Sequence, residues 1–140
     1  TGIDISNKSL QISKVNGHKL RLNNRLKLFK SNIDNFNTGK YDFIVSNPPY
    51  IKKNKLKCLE KDISFEPKQA LDGGLDGLSV IRKVIIKSSE LIKKNGHLII
   101  EIDFDQKNKV KKILQNKGFY IKEIFKDLSN HDRCIVSVKI

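Results

Sequence analysis

The sequence has no Met, no Trp, three Pro and two Cys in 140 residues. The two thiols, Cys58 and Cys134, lie far apart with no His or Cys at ligand spacing. They exclude a disulfide framework and propose no metal centre, so two reduced thiols are expected. Long apolar runs are missing too: stretches such as Leu98-Ile99-Ile100 fall far short of the roughly 20 residues that cross a bilayer. No charged-then-apolar segment opens the chain, and we expect a soluble, cytoplasmic protein with no membrane partner. Acidic residues are in deficit, 15 Asp+Glu against 28 Lys+Arg, for a net charge of +13. Such a surplus suits a polyanion, because clustered basic groups release counterions from phosphates. Only Arg21, Arg25, Arg82 and Arg133 are Arg, however, and Lys, Asn and Ile are abundant together, as an A+T-rich genome writes them onto any surface. The charge is therefore read first as a solvated Lys-rich surface. With 38% hydrophobic and 31% charged residues, the chain has the composition of one small globular domain and not of a disordered tail.

What is present is an alternating order of strands and helices. Residues 1–5 read as the end of a strand, and Thr1 stands where an initiating Met would, so we expect a piece of something longer. Ser6 is placed to cap a helix carrying Leu10, Ile12 and Val15, which Gly17 can end in a left-handed conformation. Residues 26–29 form a weak strand. Residues 41–46 (YDFIVS) form a strong one, stopped by two prolines. Residues 51–77 lack periodicity and read as a long, functional loop. Apolar positions 78, 81, 85, 91 and 92 follow helical spacing up to Asn95-Gly96, and residues 97–102 are a buried strand. A second helix runs from about Asp105, with Val110, Ile113 and Leu114 inward, to Gly118. Residues 119–126 and 133–139 are two closing strands, paired antiparallel. The sum is an α/β layered sheet in a single domain.

In such sheets an acidic residue at the carboxyl end of an early strand, here Asp4, can accept hydrogen bonds from both ribose hydroxyls of a nucleoside cofactor; alone, an Asp before a helix is more often a cap or dipole partner. Asn47-Pro48-Pro49-Tyr50 carries more. It follows the strongest strand, at the edge where these folds bind ligands. Two prolines stiffen the turn and remove two N–H groups, leaving carbonyls to face a substrate, and the Asn47 amide oxygen adds an acceptor. The Tyr50 ring can cover a planar group held there. This notch suits an NH2 on an sp² carbon, an amide or an exocyclic base amine, positioned through both hydrogens for attack on a methyl sulfonium.

On these residues the chain resembles the class I S-adenosylmethionine-dependent methyltransferases bearing the NPPY motif. Within them it resembles the release-factor glutamine methyltransferases, the HemK or PrmC family. The resemblance runs through Asp4-Ile5-Ser6, Ile44 to Ile51, Phe65-Glu66-Pro67, Ala70-Leu71-Asp72-Gly73-Gly74-Leu75-Asp76-Gly77-Leu78, Glu101 and Gln106, and Lys126-Asp127-Leu128 with Arg133. It implies a Rossmann-like sheet with helices on both faces and an antiparallel C-terminal strand pair. It also implies transfer of a methyl group from S-adenosylmethionine to the side-chain amide nitrogen of the glutamine in the Gly-Gly-Gln loop of peptide chain release factors. By the resemblance, Asn47, Pro48, Pro49 and Tyr50 hold that glutamine as the catalytic residues, and Glu66 belongs with them at the substrate or serves to orient the loop. Asp4 and Ile5 bind the cofactor ribose side, Asn32 and Ile33 lie at its adenine, and Asn47 lies beside the methyl donor. Asn32 stands where the family often has Asp, which leaves an amide to meet the adenine. Gly73, Gly74 and Gly77 are read as serving backbone geometry.

The resemblance places a glycine-rich cofactor loop about 20 residues before Asp4, and a helical substrate-gripping domain before that. Neither is in this sequence. We therefore expect the later part of a catalytic domain, truncated on its N-terminal side, that is poorly stable and binds cofactor weakly by itself. Because NPPY is shared with adenine-directed enzymes, an amino methyltransferase acting on DNA or RNA is the alternative; a non-enzymatic remnant is the third reading.

Overall fold

The computed structural model describes residues 1–58 and 67–140, and the chain divides into two compact units, Thr1–Asn37 and Thr38–Ile140.

In the first unit, β1 (Gly2–Asp4) pairs in parallel with β2 (Leu28–Lys30), in the register Gly2 to Leu28 and Asp4 to Lys30. A parallel pair needs a crossover, and α1 (Asn7–Lys19) supplies it. Ser6 caps α1 as its sequence position predicts, accepting a hydrogen bond from the Ser9 amide at 3.2 Å. Gly17 does not end the helix. It is buried inside α1, where a Cβ would sit 2.5 Å from Leu26 Cδ2, so its lack of a side chain admits Leu26. The helix stops two residues later, and Arg21 takes the left-handed turn at φ 55°. The Leu26 amide donates to the Leu22 carbonyl at 3.0 Å in the preceding turn, so β2 starts at Leu28 and not at residue 26. After β2, Asn32 caps a single 3-10 turn (Ile33–Asn35), and Phe36 is buried with its ring 5.7 Å from that of Phe29.

The second unit is built on a four-stranded sheet in the order β3-β4-β6-β5: β3 (Tyr41–Ser46), β4 (Ile92–Glu101), β5 (Phe119–Lys126) and β6 (Asp132–Lys139). β3 and β4 are parallel, and β6 runs antiparallel to both β4 and β5, as the sequence pattern predicts for the closing pair. The expected loop after β3 holds a 3-10 turn (Lys55–Cys58) and a short helix α2 (Lys68–Leu71). α3 (Ser79–Leu91) and α4 (Lys107–Asn116) touch each other and pack on one face of the sheet. Leu98 and Ile100 of β4, opposite Ser137 and Ile135 of β6, supply the sheet side of that core, and all four are fully buried. From the helices come Ile81, Val84, Ile85, Val110 and Leu114. Each such side chain contributes roughly 1.5–3 kcal/mol on burial. The opposite face presents Phe43 and Val45 of β3 and Tyr120 of β5 largely to solvent.

The predicted turn at Asn95-Gly96 is instead a bulge within β4. The ladder pairs Tyr41 with Ile92 and resumes at Phe43 with His97. Asn95 takes a left-handed φ of 65°, and a Cβ on Gly96 would meet the Asp42 carbonyl oxygen at 3.0 Å. A helix end, a bulge and a strand here share one Asn-Gly signal.

Candidate functional site

Four of the predicted cofactor residues fall together in the first unit, at the carboxyl ends of β1 and β2. Asp4 Oδ1 accepts from the Ser6 amide at 2.7 Å, which folds the chain from strand into helix, and its second carboxylate oxygen makes no bond to the described residues. The Asp4 carbonyl accepts from the Ser31 amide at 3.1 Å and ties the two strand ends. Ile5 is 53% exposed beside it. The Asn32 amide oxygen is engaged in capping, accepting from the Asn35 amide at 2.9 Å, while Ile33 is half-buried.

In the second unit the Asn47-Pro48-Pro49-Tyr50 turn leaves the carboxyl end of β3. Asn47 is exposed, and its carboxamide has no hydrogen-bond partner among the described residues. Pro48 is buried and anchors the turn, which contains no cis peptide. Tyr50 is held at both ends. Its hydroxyl donates to Glu101 Oε1 at 3.3 Å, and its carbonyl accepts from Gln106 Nε2 at 3.1 Å. Burial, then the Glu101 carboxylate, pushes the phenol above its ordinary pKa, so it remains a donor.

The glycine-rich segment at residues 71–77 wraps the backbone of this turn. The Gly73 amide donates to the Ile51 carbonyl at 2.9 Å, and the Ile51 amide to the Leu71 carbonyl at 3.1 Å. A Cβ on Gly73 would lie 2.8 Å from the Tyr50 backbone carbon, and one on Gly77 2.5 Å from the Tyr50 oxygen. Both glycines thus serve close backbone approach, as the sequence suggested. Glu66 lies outside the described residues.

Beside Tyr50 stands a charged group whose full extent sequence spacing does not show. Arg133 donates through Nε to Asp127 at 2.8 Å and through an Nη to Asp103 at 3.3 Å. The Arg133 bond, then the His131 amide, holds the Asp127 carboxyl below its usual range. Cys134 pairs with Glu101 across β4 and β6; burial, then the Glu101 charge, pushes its thiol up, which keeps it an inert thiol. Gln106 is the residue that spacing undervalues most. Standing before a helix in a run with Asp103 and Asp105, it resembles a surface cap, yet it is 2% exposed. The resemblance includes Gln106 without giving it a role, and its contacts 29 and 56 residues away in sequence supply one.

Comparison with known proteins gives this geometry its setting. The chain is 36% identical over 140 residues to a release factor glutamine methyltransferase of Clostridium acetobutylicum, covering 97% of this chain and 49% of that protein. It is 39% identical over 134 residues to a bifunctional methyltransferase of Rickettsia prowazekii, covering 94% of this chain and 26% of that one. The chain thus spans between a quarter and half of the length of these relatives. Among solved structures, a methyltransferase from Pyrococcus furiosus superposes with a TM-score of 0.70 at 16% identity, over 98% of this chain and 60% of that one. That likeness shows the α/β fold, and β5 and β6 of this chain form the antiparallel strand pair that the sequence predicts. A family model described as the Eco57I restriction-modification methylase matches residues 2–116, most of both units, and by that match the chain belongs to this methylase family.

Proposed function

We propose that the protein containing this chain transfers a methyl group from S-adenosylmethionine to the side-chain amide nitrogen of a glutamine, the one in the Gly-Gly-Gln loop of a peptide chain release factor. The observation that carries the reading is the exposed Asn47 carboxamide, without a hydrogen-bond partner among the described residues and set by two prolines at the carboxyl end of β3. A planar amide NH2 finds there the Asn47 oxygen and a proline carbonyl as acceptors for its two hydrogens, with Tyr50 to cover its plane. The choice of glutamine over a base amine is supported by the printed name of the Clostridium acetobutylicum relative.

The residues fit the cofactor in one testable respect: Asp4 ends a parallel strand with one carboxylate oxygen uncommitted among the described residues, as a ribose diol requires. S-adenosylmethionine, when bound, supplies an electrophilic methyl sulfonium. In this reading Asp4 and Ile5 hold the ribose side, Asn32 and Ile33 the adenine, and Asn47 faces the transferring methyl group. Asn47, Pro48, Pro49 and Tyr50 orient the acceptor nitrogen, which gains the methyl group and gives up a proton, leaving S-adenosylhomocysteine. Hydrogen bonds that position the nitrogen replace a strong general base. Glu66 is assigned to the substrate side. Both units are read as parts of one catalytic domain. Among the described residues no helix is long and apolar enough to cross a membrane, and the reading places the protein in the cytoplasm with its release factor.

The test incubates the full-length natural protein with S-adenosylmethionine and, separately, a Gly-Gly-Gln peptide and adenine-containing DNA, and weighs the products. The expected result is one added methyl group on the peptide glutamine, lost with Asn47→Ala. Methylated adenine, with an unmodified peptide, overturns the proposal.

A further inference from the structure

The Gln106 side chain uses its hydrogen-bonding capacity on three separate segments. Nε2 donates to the Tyr50 carbonyl at 3.1 Å and to the Gly77 carbonyl at 3.0 Å, while Oε1 accepts from the Asp103 amide at 3.0 Å. The Gln106 amide returns a bond to the Asp103 carbonyl at 2.9 Å, so this pair forms a closed ring that fixes which way the carboxamide faces. With Oε1 committed to Asp103, both Nε2 hydrogens point at remote carbonyls. A residue serving only the start of α4 needs the Asp103 contact and not the two to Tyr50 and Gly77. The space around them is closed: a Cβ on Gly77 would lie 2.8 Å from Nε2. Prolines at 48 and 49 remove two of the four backbone donors of the turn, and the donor that reaches its last carbonyl is the Gln106 side chain.

We propose that Gln106 is a positioning residue of the Asn47–Tyr50 turn. It draws the Tyr50 carbonyl back toward Gly77 and α4, so that the turn presents its remaining acceptors and the Tyr50 ring in one arrangement. The inference rests on the reading that this turn holds the methyl acceptor. Gln106 touches neither substrate nor reacting atoms and acts through Tyr50. It also couples the turn to the glycine-rich segment, so the two present one surface to the acceptor.

The experiment compares the full-length natural protein with Gln106→Glu and Gln106→Met, using whichever acceptor the parent methylates, with kcat normalised to cofactor-binding sites. A carboxylate removes both donors and sets negative charge against two carbonyls; Met removes the donors at similar volume. The expected result is a fall in kcat on the order of tenfold to 100-fold, with the cofactor Kd within about twofold of the parent. Gln106→Glu regains rate on acidification, because its protonated carboxyl restores one donor, and Gln106→Met does not. Folded variants with the parent's kcat overturn the inference. So does a loss matched by a weaker cofactor Kd and indifferent to pH, which marks a general structural role. If both variants fail to fold, the parent decides by NMR: the Gln106 side-chain NH2 signals shift when the acceptor peptide is added, and unchanged signals overturn the inference. A parent that methylates no acceptor counts against the functional reading, and there the Gln106 signals are followed on adding a Gly-Gly-Gln peptide alone.

Discussion

The two units solve the problem of burying apolar surface to different degrees. Apart from Phe36, every buried hydrophobic side chain among the described residues belongs to the second unit. There the stripe of α3 and the alternation of β4 and β6 close on one another, and Leu98, Ile100 and Ile135 are sealed from water. The first unit has the same strand-helix-strand logic but leaves Ile12 and Val15 of α1 more than half exposed. Its two strands are three residues each, and its one buried hydrophobic side chain among the described residues is Phe36, set against Phe29. The lesson is that a cofactor-type carboxylate such as Asp4 is held by local hydrogen bonds, whereas the acceptor-type turn at Asn47 is held by a core.

The sharpest way to break that comparison is by truncation. Leu98→Ala is expected to cost about 2–5 kcal/mol in denaturant unfolding, because the cavity falls in a sealed layer. Ile12→Ser is expected to change stability by about 0.5 kcal/mol or less. An equal loss in the two variants would erase the distinction. Gly77→Ala comes next: at φ 75° and 2.5 Å from the Tyr50 oxygen the new methyl has no room, so a loss of roughly 1–3 kcal/mol should accompany reduced methyl transfer. In the first unit Ser6→Ala should cost about 1 kcal/mol, read as lost α1 helicity in circular dichroism and a lower melting temperature. Ser88 sharpens the contrast with the opposite sign. Its hydroxyl is fully buried against the core with no partner among the described residues, and Ser88→Ala should raise stability by roughly 1 kcal/mol.

The smallest effect is one of pH. Asp76 accepts from the Leu78 amide at the start of α3 and pairs with Arg82, and its carboxyl falls from 3.8 to about 2, chiefly through the Arg82 bond. A depressed carboxyl stabilises fully above its unfolded value and loses that contribution as pH falls toward its folded one. The stability difference between the parent and Asp76→Asn should therefore be constant above pH 3.8 and fade as pH approaches about 2. A difference that persists unchanged below that range would mean that the charge is not what Asp76 contributes.

Much of the second unit was legible in the sequence because its signals are local and redundant. Positions 78, 81, 85, 91 and 92 all prove buried, and residues 41–46 form the strand that their β-branched and aromatic content calls for. What escaped is what depends on distant partners. Gly17 reads as a helix stop until Leu26 is laid against it. Asn95-Gly96 reads as a turn until Asp42 and Ile92 crowd it from another strand and the preceding residues. The site divides in the same way. Asn47 to Tyr50 announce themselves by two prolines after a strand, while Gln106 has no local signal, since the carbonyls it serves come from residues 50 and 77.

The strand order has a consequence for how the chain comes into being on the ribosome. β6 lies between β4 and β5, so the sheet of the second unit has a gap at its middle until residues 132–139 have been made. A nascent chain halted at residue 130 holds β4 with one bare edge and β5 with no neighbour to pair with. Such a chain should look to chaperones and proteases like an unfinished protein, and the Asn47 turn, whose Tyr50 hydroxyl rests on Glu101 at the end of β4, should gain its lasting shape only when β6 slides in.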